Sequence, residues 1–230
     1  MTEERTSETE ISAYISNVLR SHFGKGPASV YVTMKAPFIT IHCRGLNSPM
    51  EKLLLRQGEW ERVLKTRDLI LDDMKEEIME ELRRMAGFDI LDFFADWNLE
   101  HESGMFVGVL DEEPEEADFE WPDGVNREEV ENKVVEASET AEKKPGQVNS
   151  FWLSDRTLLI ERRKILVGIE KALIANGHTE TLRLSKRPLE RSLLYNAGLS
   201  DVLTREVQEI FVDWDFGKDI SYIVVVLAAA

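Results

Sequence analysis

The apolar positions in the first part of the chain have helical spacing up to about residue 23 and strand spacing from about residue 29 to 43. A capping box at Ser7–Glu10 predicts the start of an amphipathic helix, and the glycines and proline of 24–27 predict its end. Two β-rich runs at 29–34 and 38–43 then predict an antiparallel hairpin, because β-branched and aromatic residues dominate both runs. We therefore expect a helix followed by a hairpin.

Two further helices are predicted after this hairpin. A capping box at Ser48–Glu51, with proline at the first helical position, predicts a short helix that ends at Gly58. A long helical pattern then runs to about Ala86, and it starts either near Trp60 or after an N-cap at Thr66.

Strand patterns at 88–100 and 105–110 close this unit, and the whole order then repeats. The segments Glu51–Gly58 and Glu170–Gly177 share Glu, Lys, Leu and Gly in register at a shift of 119 residues. The closing hairpins of the two halves match at a shift of 117 residues. The chain is therefore expected to contain one unit twice.

The duplication predicts an α+β fold of two tandem αββααββ units, each a four-stranded antiparallel sheet with helices on one face. We expect the first unit over 1–110, an acidic linker over 111–126 and a diverged second unit over 127–230. Its long helix is expected only from Pro188 to about Ala197. A sheet with one bare face needs a cover, so we expect a pseudo-twofold pairing, either sheet on sheet or as one continuous sheet.

Composition changes this picture by excluding some partners. The net charge of −16 argues against nucleic acid and against an anionic membrane surface, and residues 111–124 alone carry eight acidic and no basic residues. The apolar run 220–230 is too short to span a bilayer and is expected to be a strand, so no membrane insertion is predicted. Cys43 is the only cysteine, which excludes an intrachain disulfide and fits a reduced, cytoplasmic setting, and its place in the apolar run 38–43 favours a buried thiol.

Three side chains are the candidates for a ligand site. Glu51 is either an acid or base or, as we favour, a capping residue. Arg67 lies either on the apolar side of the long helix or in its first turn. The helix dipole disfavours a cation in the first turn, so an anion or a carboxylate partner would be needed to compensate its charge there. We favour an internal ion pair of Arg67 with an acidic side chain such as Asp68, Asp96 or Glu51, and we place Arg187 near the equivalent position of the second unit.

Asp96, the third candidate, precedes Trp97 in a predicted strand. Alternation places the two side chains on opposite faces, so a packed tryptophan beside a paired or solvated aspartate is the simpler interpretation. The four histidines lack zinc-ligand spacing, and there is no nucleophile-elbow motif. No catalytic residue, metal or cofactor is predicted.

The first unit resembles the MpsC-like family of small bacterial proteins over about residues 8–111, and a degenerate second copy is similar over about 127–228. The residues that carry the resemblance are the helix end at 24–27, Gly45-Leu46, Glu51, Gly58, Val63, Arg67, Gly87 and Asp96. The resemblance implies a soluble accessory to a membrane system linked to membrane potential and inorganic-carbon uptake.

Two functions from different classes follow. The first is a non-enzymatic cytoplasmic binding or regulatory module that acts on a protein partner or a small anion, as a monomer or as a homodimer. The alternative is an enzyme or degenerate enzyme with a small-anion pocket between the two copies near Arg67 and Glu51. A concave pocket lined by Arg67, Glu51 and Asp96 would favour the enzyme, and satisfied ion pairs would favour the binding module.

Overall fold

The computed structural model describes residues 2–115 and 118–229, with the backbone only for residues 2–6. The chain divides into two compact units, Met1–Pro114 and Glu115–Ala230. None of the helices within the described ranges combines the length and apolar character needed to cross a lipid bilayer.

The first unit has the predicted αββααββ order. Its helices are α1 (Thr2–Phe23), α2 (Pro49–Arg56) and α3 (Trp60–Ala86), and its strands are β1 (Ser29–Lys35), β2 (Phe38–Arg44), β3 (Ile90–Asn98) and β4 (Ser103–Leu110). The strands form one antiparallel sheet in the order β1-β2-β4-β3, on which α1 and α3 pack. Both helices bury one apolar stripe, namely Ile11, Ile15 and Leu19 of α1 and Met74, Ile78 and Leu82 of α3.

Local signals set the ends of α2 and α3. Ser48 Oγ accepts the backbone N–H of Glu51 at 3.3 Å, and the Glu51 side chain accepts the N–H of Ser48 at 2.6 Å, so the predicted capping box is confirmed. Gly87 ends α3 with φ +78°, a left-handed conformation that favours glycine. Of the two predicted starts of α3, the one near Trp60 is correct, and the Thr66 hydroxyl instead donates to the carbonyl of Arg62 at 2.8 Å.

The capping box predicted at Ser7–Glu10 is wrong, because α1 already begins at Thr2. No glycine or proline lies between residues 2 and 10, so nothing in that stretch interrupts the helix. Ser7 is consequently an interior residue of α1.

The second unit repeats the order with one added helical turn. Its helices are α4 (Arg127–Ala141), α5 (Gly168–Ala175), α6 (Thr179–Asn196) and α7 (Leu199–Val202), and its strands are β5 (Gln147–Ser154), β6 (Thr157–Arg163), β7 (Val207–Asp215) and β8 (Ile220–Leu227). The sheet order is β5-β6-β8-β7. The apolar stripe of α4, with Val130 and Val134, packs on one face of this sheet, which carries Ile160, Val212 and Ile223.

The long helix of the second unit extends much further than predicted. It runs over Thr179–Asn196 with Pro188 inside it, whereas proline at the first turn was expected. Buried contacts of Lys186 and Glu190 on either side of Pro188 hold the helix across the missing backbone hydrogen bond. The stretch that follows contains the short helix α7.

Aromatic residues tie the acidic segment to the second unit. The ring of Phe119 lies 5.0 Å from that of Phe151, and Trp121 lies 5.3 Å from Trp152. Phe119 is buried, so these contacts hold the segment against the second unit. The C-terminal apolar run forms strand β8, as predicted.

Candidate functional site

Glu51 connects the start of α2 to α3. Its Oε2 accepts the backbone N–H of Ser48, as the capping box requires. Its Oε1 accepts a hydrogen bond from Nε of Arg67 at 2.7 Å. One carboxylate therefore caps the short helix and pairs with the long one, which confirms both the capping interpretation of Glu51 and the ion-pair interpretation of Arg67.

Arg67 is buried, with 1% of its side chain exposed. Its Nη2 donates to Oδ1 of Asn47 at 2.9 Å, and its guanidinium lies 5.1 Å from the ring centroid of Trp97. Asn47 in turn donates to the carbonyl of Leu99 at 2.9 Å. The arginine thus joins α3, α2 and the end of β3. Nη1 is buried and has no hydrogen-bond partner among the residues that the structure describes.

The electrostatics of this pair follow from burial and charge. Burial acts to raise the pKa of Glu51, but the hydrogen bond and positive charge of Arg67 and the bonds from Ser48 outweigh it, so the pKa lies below its usual value. Glu51 is therefore ionised near neutral pH and acts as an acceptor rather than as a proton donor.

Asp96 does not belong to this ion pair. Its carboxylate accepts the backbone N–H of Trp97 at 2.7 Å, while the indole N–H of Trp97 donates to Asp68 at 3.1 Å. The hydrogen bonds of Arg67 go to Glu51 and Asn47 instead. The structure therefore brings Glu51 and Arg67 together, whereas the third predicted site residue, Asp96, bonds to the backbone of Trp97.

The second unit contains the same arrangement with lysine in place of arginine. Lys186, at a shift of 119 residues from Arg67, donates to Oε1 of Glu170 at 2.6 Å, and its Nζ lies 5.5 Å from the ring centroid of Trp214. Oε2 of Glu170 accepts the N–H of Val167 at 3.0 Å, which is the part of a capping box that needs no hydroxyl. Arg187, predicted to lie near the position equivalent to Arg67, is thus the residue directly after it.

Sequence reasoning missed a polar network beside Lys186. Arg162 on β6 donates from Nε to Ser221 and from Nη1 to Ser138, both at 2.9 Å, and from Nη2 to Glu190. Lys186 also pairs with Glu190, at 3.1 Å, and with Glu142. All of these side chains are buried.

The first unit has small or apolar residues at the same positions. Cys43 and Gly104 are cross-strand partners there, as Arg162 and Ser221 are in the second unit. The full set of replacements, from first unit to second, is Leu19 to Ser138, Phe23 to Glu142, Cys43 to Arg162, Leu71 to Glu190 and Gly104 to Ser221. A residue-by-residue alignment of the repeats would have revealed this change, because five aligned positions, four of them buried in the first unit, become polar together.

The arrangement of each unit defines a class of structure rather than a reaction. In each, a buried cation on the long helix joins the glutamate of the short helix to a tryptophan of the third strand. The chain is thus a tandem α+β protein whose two similar units share this internal ion pair.

Residues 3–112 match the family described as "Na+-translocating membrane potential-generating system (MpsC)". The first unit therefore belongs to the MpsC family, as the resemblance implied. No curated protein and no solved structure matches the chain.

Proposed function

We propose that this chain is a cytoplasmic accessory or regulatory module of a membrane-potential-generating system and acts by binding a protein partner. The observation that carries this proposal is the family match over residues 3–112. The family resemblance also links this accessory role to a membrane system for inorganic-carbon uptake.

The internal hydrogen bonds of Arg67 and Glu51 support a binding module over an enzyme. Arg67 is buried and bonded to Glu51 and Asn47, and Glu51 also caps α2. Both side chains thus stabilise the fold. The net charge of −16 favours a partner with a basic surface, since complementary charge accelerates association.

The test uses everted membrane vesicles that carry the remaining components of such a system. A Na⁺ gradient is imposed, and the membrane potential is followed with a voltage-sensitive dye, with and without the purified chain and with and without bicarbonate. We expect the chain to change the Na⁺-dependent potential in proportion to its concentration. The heat-unfolded chain is the control. An unchanged potential at saturating chain, together with no sedimentation of the chain with the vesicles, would exclude the accessory role.

One observation favours a second candidate, a small-anion site at Arg67. Its Nη1 is a buried donor without an acceptor among the described residues, and a planar anion such as bicarbonate would supply one. A thermal-shift titration with bicarbonate and phosphate tests this site. Saturable stabilisation that is lost in Arg67→Lys would support it, because lysine keeps the charge but lacks the guanidinium fork. Equal shifts in both proteins would reject it.

A further inference from the structure

Five ionisable side chains are buried together in the second unit. Three are carboxyl groups, from Glu142, Glu170 and Glu190, and two are cations, Lys186 and Arg162. The exposed fraction of each of these side chains is 8% or less. If all five were charged, the cluster would carry a net charge of −1 away from water. An uncompensated buried charge is strongly unfavourable, so the group neutralises instead.

Two oxygen atoms of the cluster lack a hydrogen-bond donor. Oε2 of Glu142 and Oε1 of Glu190 are both buried, and neither accepts a hydrogen bond within the described part of the chain. Oε1 of Glu190 does lie 3.1 Å from Nζ of Lys186, but this contact is an ion pair without the angles of a hydrogen bond. A buried acceptor without a donor costs free energy.

A single proton resolves both the charge and the missing donor. Placed on Glu142, it makes the cluster neutral and supplies an O–H that can donate to Glu190. We propose that Glu142 and Glu190 form a proton-binding site, in which Glu142 carries the proton and donates a hydrogen bond to the ionised Glu190.

The neighbours decide which of the two carboxyl groups holds the proton. Glu190 has Arg162 beside it as well as Lys186, whereas Lys186 is the one cation that pairs with Glu142 among the described residues. Burial, together with the hydrogen bond and charge of Glu190, raises the pKa of Glu142 to about 8 against the opposing effect of Lys186. Burial also acts to raise the pKa of Glu190, but Arg162, the hydrogen bond from Glu142 and Lys186 lower it to about 2.

The site couples proton binding to the packing of α4 against α6. Glu142 is the C-cap of α4 and Glu190 lies in α6, while Glu170 of α5 and Arg162 of β6 complete the cluster. Loss of the proton leaves two adjacent carboxylates that repel each other. The contact between the end of α4 and α6 is therefore expected to weaken as the proton leaves.

The sign of the pH effect follows from the raised pKa. The folded chain holds this proton up to about pH 8, whereas an unfolded glutamate releases it near pH 4.3. The stabilisation is complete below the unfolded value and is lost as the pH rises through the folded one. One proton taken up on folding changes the unfolding equilibrium constant tenfold per pH unit over this interval.

The direct test is infrared spectroscopy of the full chain between pH 5 and 9. We expect a carboxylic acid C=O band that disappears on titration near pH 8. The band should be absent from Glu142→Gln, because the amide keeps the shape and the donor but cannot titrate. Glu139→Gln is the matched control, since Glu139 is exposed on the same helix one turn earlier. A band that persists in Glu142→Gln, or no band that titrates above pH 7, would overturn the proposal.

Hydrogen exchange gives a second measurement that does not depend on the band assignment. Peptides covering 127–142 and 179–196, corrected for intrinsic exchange rates, should lose protection as the pH rises towards 8 in the wild-type chain and in Glu139→Gln. Protection in Glu142→Gln should not change with pH. If Glu142→Gln does not fold, ¹³C NMR of glutamate-labelled wild-type chain decides, because no glutamate carboxyl carbon titrating above pH 7 would refute the site.

Discussion

Arg67 and Lys186 occupy the same position in the two units, 119 residues apart. Each donates to Oε1 of the third helical residue of the short helix, Glu51 or Glu170, and each lies over the tryptophan of the third strand. The second unit has kept this ion pair while the core beside it changed from apolar to charged. The buried cation therefore has a structural role in each unit.

Replacement of Arg67 by methionine is expected to destabilise the first unit by about 3–5 kcal/mol, because it leaves Glu51 without its counterion. Urea unfolding followed by tryptophan fluorescence measures this loss. Arg62→Met is the matched control on the same helix, because Arg62 is exposed and its ion pair with Glu59 spans 4.0 Å, so a change of about 0–1 kcal/mol is expected. Equal losses in the two variants would contradict the buried ion pair.

Glu51→Gln is expected to reduce the acid sensitivity of the first unit. Because the folded pKa of Glu51 is lowered, its contribution is present above the unfolded value of about 4.3 and is lost as the pH falls through the folded value. The difference in unfolding free energy between wild type and Glu51→Gln should thus shrink from pH 7 towards pH 3. Exposed Glu61 provides the control, Glu61→Gln, and a constant difference for Glu51→Gln would argue against the lowered pKa.

Gly104→Ala is expected to destabilise the first unit by about 1–3 kcal/mol through overpacking. A Cβ at this position would lie 2.7 Å from the Trp97 ring. Gly108→Ala on the same strand is the control, because its nearest neighbour, Cβ of Ile39, lies at 3.7 Å, and there the substitution is expected to be neutral or stabilising by about 0.4–1 kcal/mol. Denaturant unfolding and the near-ultraviolet signal of Trp97 report both. Similar effects at the two glycines would contradict the close packing.

The charged core of the second unit should be replaceable as a set. Glu190→Leu alone leaves Arg162 buried without its carboxylate and is expected to cost about 3–5 kcal/mol. The variant that restores all five first-unit residues should regain most of that stability and lose its pH dependence between pH 5 and 8. Its substitutions are Ser138→Leu, Glu142→Phe, Arg162→Cys, Glu190→Leu and Ser221→Gly. Lower stability than Glu190→Leu alone would show that the two cores are not interchangeable.

Cys43 is expected to react with thiol reagents only when the first unit opens. The side chain is fully buried, and burial raises the pKa of its thiol, which removes the reactive thiolate. The rate of reaction with an aromatic disulfide should follow the rate of unfolding across a urea series, and the urea-unfolded chain provides the upper reference. Rapid reaction in the absence of urea would show that the thiol is accessible.

Much of the fold was predictable because its signals are local. The Ser48–Glu51 capping box, the left-handed glycine at 87 and the alternating runs of the strands each fix an element from a few neighbouring residues. The prediction failed where tertiary contacts override a local rule, as at Pro188, which lies inside α6 between the buried contacts of Lys186 and Glu190. The pseudo-twofold pairing of the units stays a prediction.

The candidate site was predictable only in part. The spacing of a capping box and an arginine on an apolar helix side pointed to Glu51 and Arg67. The sequence predicted an ion pair of Arg67 with Asp68, Asp96 or Glu51, and the structure selects Glu51. Asp96 shares its strand with Trp97, but its carboxylate accepts the backbone N–H of Trp97, and Arg67 bonds to Glu51 and Asn47 instead. The network of Arg162, Glu142 and Glu190 gave no local signal, because its members come from three elements far apart in the chain.

The sequence by itself determined the order of elements that the two units share, both ends of α2, the C-terminal end of α3 and the membership of the first unit in its family. Only the tertiary structure decided which charges meet in the core, since that depends on strand register and helix rotation rather than on nearest neighbours. Arg162 faces Ser221 through the pairing of β6 with β8, and Glu142 reaches Lys186 because α4 packs on α6. Charge interactions depend on distance and burial, and folding alone sets both.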